Sequence, residues 1–201
     1  MEITKRETLI ILDWDDTLFP TSWVLTNNLD ITEPSTRIMF NKKFRELDNI
    51  IYNLLYTMNK LGKVIIITNA MPEWVTLSSS LLRNTNNIVT DIPIISARKD
   101  YNKKGTIKEW KKMSFLNELR NQISNNNKIN NIISIGDANY EYNALVNLFN
   151  VQNNYHDRYL KSVQLMKNPS CIDLEEQLKI INKEINNICD HRHHLDLHFN
   201  N

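Results

Sequence analysis

Thr8 to Leu18 reads TLIILDWDDTL, and its chemistry changes abruptly halfway along. Leu9 to Leu12 are four consecutive apolar residues, and Asp13, Asp15 and Asp16 follow at once, with Thr17 behind them. A short apolar run bounded by polar residues predicts a strand buried on both faces, hence a central parallel strand rather than an edge. The acids then lie at its carboxyl end, where open α/β sheets bind their ligands. Carboxylates crowded at one strand tip repel one another, and a hard divalent cation with oxygen ligands is the usual remedy.

Outward from this stretch, Phe19-Pro20-Thr21-Ser22-Trp23 stops the strand and predicts a loop beside the acids. Trp23 has two readings there, a contact to substrate or an aromatic packed at the base of the loop. From Ser35 to Leu61 the apolar residues Phe40, Phe44, Leu47, Ile51, Leu54, Met58 and Leu61 recur by four and three, predicting one long helix over the sheet. Lys63 to Thr68, KVIIIT, is a second strand that ends in a hydroxyl, with Asn69 next. A helix from Pro72 to Arg83 and a third strand from Ile92 to Ser96 come after it. Arg98 to Lys112 holds seven Lys or Arg against Asp100 and Glu109, a pattern that usually marks a solvated face.

Ile132 to Asp137, IISIGD, predicts a fourth strand, with Glu141 four residues beyond the aspartate, and Val163 to Met166 predicts a fifth. Ile172 to Ile188 is the last helix. Its Leu174, Leu178, Ile181, Ile185 and Ile188 either cover the sheet or form the seam of a homodimer.

The chain has 201 residues, 41% of them apolar, which suits a single α/β domain over 1–189 followed by a His-rich tail over 190–201. His191, His193, His194 and His198 lie in that tail beside Cys189. Their spacing matches no zinc finger or catalytic helix, and the segment reads as a mobile terminus. A net charge of +1 gives no global reason to bind nucleic acid or an anionic membrane. The absence of a membrane-length apolar run or a signal-like N-terminus, together with only two cysteines, leads to the expectation of a cytoplasmic protein.

Asp13-x-Asp15-x-Thr17 at the end of an apolar strand resembles motif I of the haloacid dehalogenase (HAD) superfamily of phosphohydrolases. Thr68 is similar to its motif II. Trp110-Lys111 followed by Phe115 resembles motif III in some members and favours Lys111 over Lys112, and Gly136-Asp137 followed by Glu141 resembles motif IV. The resemblance spans about Leu9 to Leu145 and implies a Rossmann-like three-layer α/β/α sandwich with a mostly parallel sheet of about five strands. It further implies Asp13 as nucleophile, Asp15 as general acid and base, and Thr68 and Lys111 on the phosphoryl oxygens, with Thr17 and Asn69 assisting. Magnesium (Mg2+) would be held by the side chains of Asp13 and Asp137 and the carbonyl of Asp15, with Glu141 accepting a metal-bound water or orienting a neighbour.

The acid at Asp15 argues for phosphatase or phosphotransferase action, since family ATPases carry Thr there and dehalogenases lack the acid. Little room is left for a cap, and an open site of this kind suits a phosphorylated substrate as large as a phosphoprotein. Two other readings compete: a phosphate-binding or scaffold protein without turnover, and a nucleic-acid end phosphatase drawing on Arg98 to Lys112.

Overall fold

In a computed structural model, which describes residues 3–125, 128–150 and 158–199, the opening apolar run forms β1 (Thr8–Leu12), buried along its whole length. Successive side chains of a strand point to opposite faces, so β1 serves two cores: Ile10 and Leu12 enter one, Leu9 and Ile11 the other. Beside it stand β2 (Lys63–Thr68), β3 (Ile94–Ser96), β4 (Asn131–Gly136), β5 (Tyr159–Gln164) and β6 (Leu195–His198). All pairs are parallel and the order is β3-β2-β1-β4-β5-β6. The chain thus steps outward from β1 to β3 and returns to the other side of β1 for β4. The carboxyl ends of β1 and β4 flank that reversal, where an open sheet leaves its crevice.

Between β1 and β2 lie α1 (Thr21–Thr26), α2 (Pro34–Lys43) and α3 (Arg45–Leu61); α4 (Pro72–Ser79) and α5 (Arg83–Val89) precede β3. Then come α6 (Ala97–Tyr101), α7 (Ile107–Ser124), α8 (Asn139–Asn147) and α9 (Cys171–Asp190). α3 and α9 cover one face through Leu54, Met58, Leu178 and Ile185, and α7 and α8 cover the other through Phe115, Leu119, Ala144 and Leu145. The result is a Rossmann-like three-layer α/β/α sandwich. No helix among the described residues is long and apolar enough to cross a membrane.

α9 starts at a reciprocal cap: Ser170 Oγ accepts from the Asp173 N–H at 3.2 Å, and the Asp173 carboxylate accepts from the Ser170 N–H at 3.0 Å. Its Leu174, Leu178, Ile181, Ile185 and Ile188 are all buried in the chain's own core. The stripe covers the sheet, and the expected homodimer seam on it is not available.

Several boundaries differ from expectation for identifiable reasons. The helix expected from Ser35 to Leu61 breaks at Phe44 (φ −101°, ψ 15°), whose ring stacks on Phe40 at 4.3 Å. Because both helices turn apolar residues inward, the spacing of four and three runs through the break unmarked. β5 begins at Tyr159 rather than Val163, its first half disguised by Lys161 and Ser162, which are polar yet buried. The sheet has six strands rather than five, since the described part of the tail, up to residue 199, is no loose end but contributes β6, paired along β5.

Lys161 explains how the tail is fastened. Fully buried, it donates from Nζ to the carbonyls of Ile188 (2.7 Å) and Cys189 (2.8 Å) at the end of α9, where acceptors are otherwise left over. Asn131 Nδ2 also donates to the Cys189 carbonyl, at 3.0 Å. Lys161→Met therefore removes the ammonium from Ile188 while Cys189 keeps a donor. A loss of about 1–3 kcal/mol is expected for the stranded carbonyl, read as a lower urea midpoint at unchanged slope.

Candidate functional site

The strand β1 delivers Asp13 directly to the crevice, with the Asp13 N–H donating to the Ile135 carbonyl at 3.0 Å and so extending the β1–β4 ladder by one residue. Trp14 then turns to the core, stacks on Phe19 (centroids 6.4 Å apart) and donates from Nε1 to Ser78 Oγ at 2.9 Å. The chain coils about the Trp14 carbonyl, which accepts from Leu18 and Phe19 N–H at 2.9 and 3.0 Å. The turn needs a left-handed residue, and Asp16 supplies it (φ +52°), a conformation aspartate tolerates better than most side chains. Asp16 accepts from the Ser22 N–H at 2.8 Å and from its hydroxyl, capping the start of α1.

Lys111 is the only lysine of its run to enter the site, and it does so completely: its side chain has no exposure, whereas Lys112 stays half-buried. Its Nζ lies 2.9 Å from Asp13 Oδ1 and 2.8 Å from Glu141 Oε1, and donates to the Ile67 carbonyl of β2. Two carboxylates and one backbone carbonyl thus surround the ammonium from three parts of the chain. Burial opposes the charge, but Asp13 and Glu141 outweigh it and hold the ammonium above the usual lysine range.

Glu141 is fixed from its other oxygen, Oε2, which accepts from the Ala138 N–H at 3.1 Å. It lies across Gly136 so closely that a β-carbon there would come within 2.7 Å of Glu141 Cγ, which is why the residue before Asp137 is glycine. Carboxylate oxygens of Asp13, Asp137 and Glu141 lie within 4.8 Å of one another. Burial, followed by the charges of Asp13 and Asp16, pushes the Asp137 carboxyl up to about 7. Burial also raises Glu141, with Lys111 opposing and Asp13 adding to the rise. Hard oxygen donors that crowd at one strand end and raise one another in this way suit a hard divalent cation, so the donor set fits magnesium.

Asp15 stands apart from that triad. Its Oδ1 accepts from the Thr21 hydroxyl at 2.5 Å and from Trp74 Nε1 at 2.8 Å, while burial raises its carboxyl against both donors. Thr68 ends β2 fully buried, its Oγ1 accepting from the Ala70 N–H at 3.0 Å, which leaves the hydroxyl proton to be donated elsewhere. Thr17 Oγ1 and both amide atoms of Asn69 are buried without a hydrogen-bond partner among the described residues. Buried polar atoms left unpaired at a strand end are what a bound ligand would satisfy.

Trp23 is partly buried beside the turn. Its ring packs edge-on against Phe40 and Phe44 at 6.4 and 5.5 Å and lies under Lys43 Nζ at 4.7 Å, the loop-base role of its two readings. Thr21 and Trp74, the donors to Asp15, carried no sequence signal of their own. Tyr140, whose ring centroid is 5.8 Å from Lys111 Nζ, was equally silent. The tail histidines join no metal-holding group among the described residues. His194 instead accepts the Leu160 N–H at Nδ1, at 3.1 Å. No family model, no curated protein and no solved structure matches the chain.

The raised Asp137 has a consequence for metal-free protein. Its folded value of about 7 exceeds the roughly 3.9 of an unfolded aspartate, so the folded state holds the extra proton between those values. Stability is expected to fall as pH rises from about 4 to about 7, with Glu141 contributing in the same direction. Thermal melts of Asp137→Asn in chelator should show a shallower decline over that window than wild type.

Proposed function

We propose that the chain is a magnesium-dependent phosphatase of the haloacid dehalogenase type, hydrolysing phosphomonoesters through an aspartyl-phosphate. The observation that carries this reading is the buried Lys111 ammonium set between Asp13 and Glu141, with Asp137 alongside, at the crevice of the sheet. The order of the four motifs and the unpaired polar atoms of Thr17 and Asn69 support it.

A carboxylate beside a fixed ammonium is available as nucleophile, and the same positive charge favours approach of an anionic phosphoryl group. Asp13 attacks phosphorus, the bond from phosphorus to the leaving oxygen breaks, and Asp15 gives that oxygen its proton. Asp15, now a carboxylate, takes a proton from water; the resulting hydroxide attacks phosphorus and releases Asp13 with inorganic phosphate. Asp15 is suited to the first of these duties because burial raises its carboxyl above the usual range, and Thr21 and Trp74 both donate to Oδ1 rather than Oδ2. Thr68 and Lys111 donate to the phosphoryl oxygens. Asp13 and Asp137 would hold magnesium, which would supply neutralisation of developing charge. The helices that reach Asp15 and Asp16 are the short α1 and α4 rather than parts of a second domain, which supports a large phosphate-bearing substrate.

Hydrolysis of an aryl phosphate is expected to require magnesium and to be lost in Asp13→Asn, while magnesium still raises the melting temperature of wild type. Folded, magnesium-stabilised wild type without turnover on aryl phosphates, nucleotides or phosphopeptides would instead favour the binding-protein reading.

Trp74→Phe keeps the ring but removes the N–H that lowers the Asp15 pKa. Loss of kcat by about tenfold is expected, at the low end of what acid–base catalysis contributes. The alkaline limb of the pH–rate profile, set by deprotonation of the acid, should move to higher pH. An unchanged profile would remove Asp15 from the acid role.

A further inference from the structure

β6 closes one side of the sheet with four residues, Leu195 to His198, and no strand covers its outer edge among the described residues. In a parallel ladder each residue turns its N–H and C=O to the same side, and successive residues alternate. The Phe199 N–H donates to the Gln164 carbonyl at 2.9 Å, so Leu195, Leu197 and Phe199 face β5 while Asp196 and His198 present their backbone groups outward. The opposite edge is blunted, since β3 has three residues and follows Pro93, whereas β6 has neither proline nor lysine to discourage pairing.

We propose that β6 pairs with β6 of a second copy of this chain, antiparallel about a twofold axis at Leu197, so that two sheets become one. The sequence of the edge selects both the occupant and the register. Only residues with outward backbone groups can form the hydrogen-bonded pairs of a new ladder, which leaves three twofold registers. Asp196 faces Asp196, or His198 faces His198, or each Asp196 faces the second copy's His198. The first two set like against like with one bonded pair each. The third forms both pairs, four backbone hydrogen bonds, and opposes a carboxylate to an imidazole twice on one face, the favourable cross-strand arrangement. Asp196 and His198 already share that face and reach each other, with His198 Nε2 3.0 Å from Asp196 Oδ1 and both side chains 45% exposed. An isologous contact of this kind is self-complementary and closed. Being one short strand per copy, it gives a concentration-dependent dimer rather than an obligate one.

Sedimentation velocity of the full chain across a concentration series tests this directly. Wild type is expected to move from monomer to dimer as concentration rises. Asp196→His, which sets imidazole against imidazole, and His198→Asp, which sets carboxylate against carboxylate, should each stay monomeric. The double swap Asp196→His with His198→Asp restores opposite partners in the same register and should dimerise again; circular dichroism checks that all three variants fold. A role confined to the contact within one strand would leave sedimentation unchanged by any of these variants. Wild type monomeric throughout, single variants that still dimerise, or a double swap that does not recover would each overturn the proposal, the first leaving the edge to a strand from another protein.

Discussion

A fully buried ammonium is costly to desolvate, and the crevice is arranged around meeting that cost at Lys111. Removing a charge from water is unfavourable by several kcal/mol unless its protons are all received by well-placed acceptors. Lys111 finds its acceptors on Asp13 beyond β1, on the Ile67 carbonyl within β2 and on Glu141 in α8. These are far apart in sequence and meet only when the sheet has its order and α7 lies on its face. The same contact fixes the other groups in turn: Glu141 must lie flat over the end of β4, the residue beneath it must lack a side chain, and Asp137 is then held beside Asp13.

Around that one cation the carboxyl groups differ in how their charge is answered. Asp13 and Glu141 share Lys111, Asp15 has the donors Thr21 and Trp74, and Asp16 has the start of α1. Asp137 is pushed highest relative to an ordinary aspartate among these aspartates, because burial and the charges of Asp13 and Asp16 act together on it while Lys111 relieves it only slightly. Unanswered negative charge therefore collects on the β4 side of the crevice, away from the tethered Asp15.

The parts legible in sequence are those governed by burial on both faces. β1 and β2 hold unbroken apolar runs and β4 one interrupted only by Ser134, and the residues at their ends, Asp13, Thr68 and Asp137, follow from where each run stops. Lys111 was favoured over Lys112 only through the family resemblance of Trp110-Lys111 followed by Phe115, since charge and spacing do not separate the two. What stayed hidden depends on contacts between distant positions. Lys161 is buried because two carbonyls of α9 await it, and nothing local in YLKSVQ says so. Trp74 reaches Asp15 across 59 positions, and the apolar spacing over Phe44 continues through a break that only the backbone dihedral reveals. The histidines of the tail concealed a strand because their composition suggests a mobile segment, while the alternation of Leu195 and Leu197 is only two apolar residues long.

The division between Asp13 and Asp15 shows why two identical side chains two residues apart are fit for different work. Trp14 enters the core between them, held there by its stacking on Phe19 and its bond to Ser78. Asp13 has the Lys111 ammonium at 2.9 Å. Asp15 has only neutral donors, and burial raises it in spite of them. The two carboxyl groups thus meet different surroundings, an ammonium for one and neutral donors for the other, and that difference is set by helices α7, α1 and α4 rather than by the strand that both residues follow.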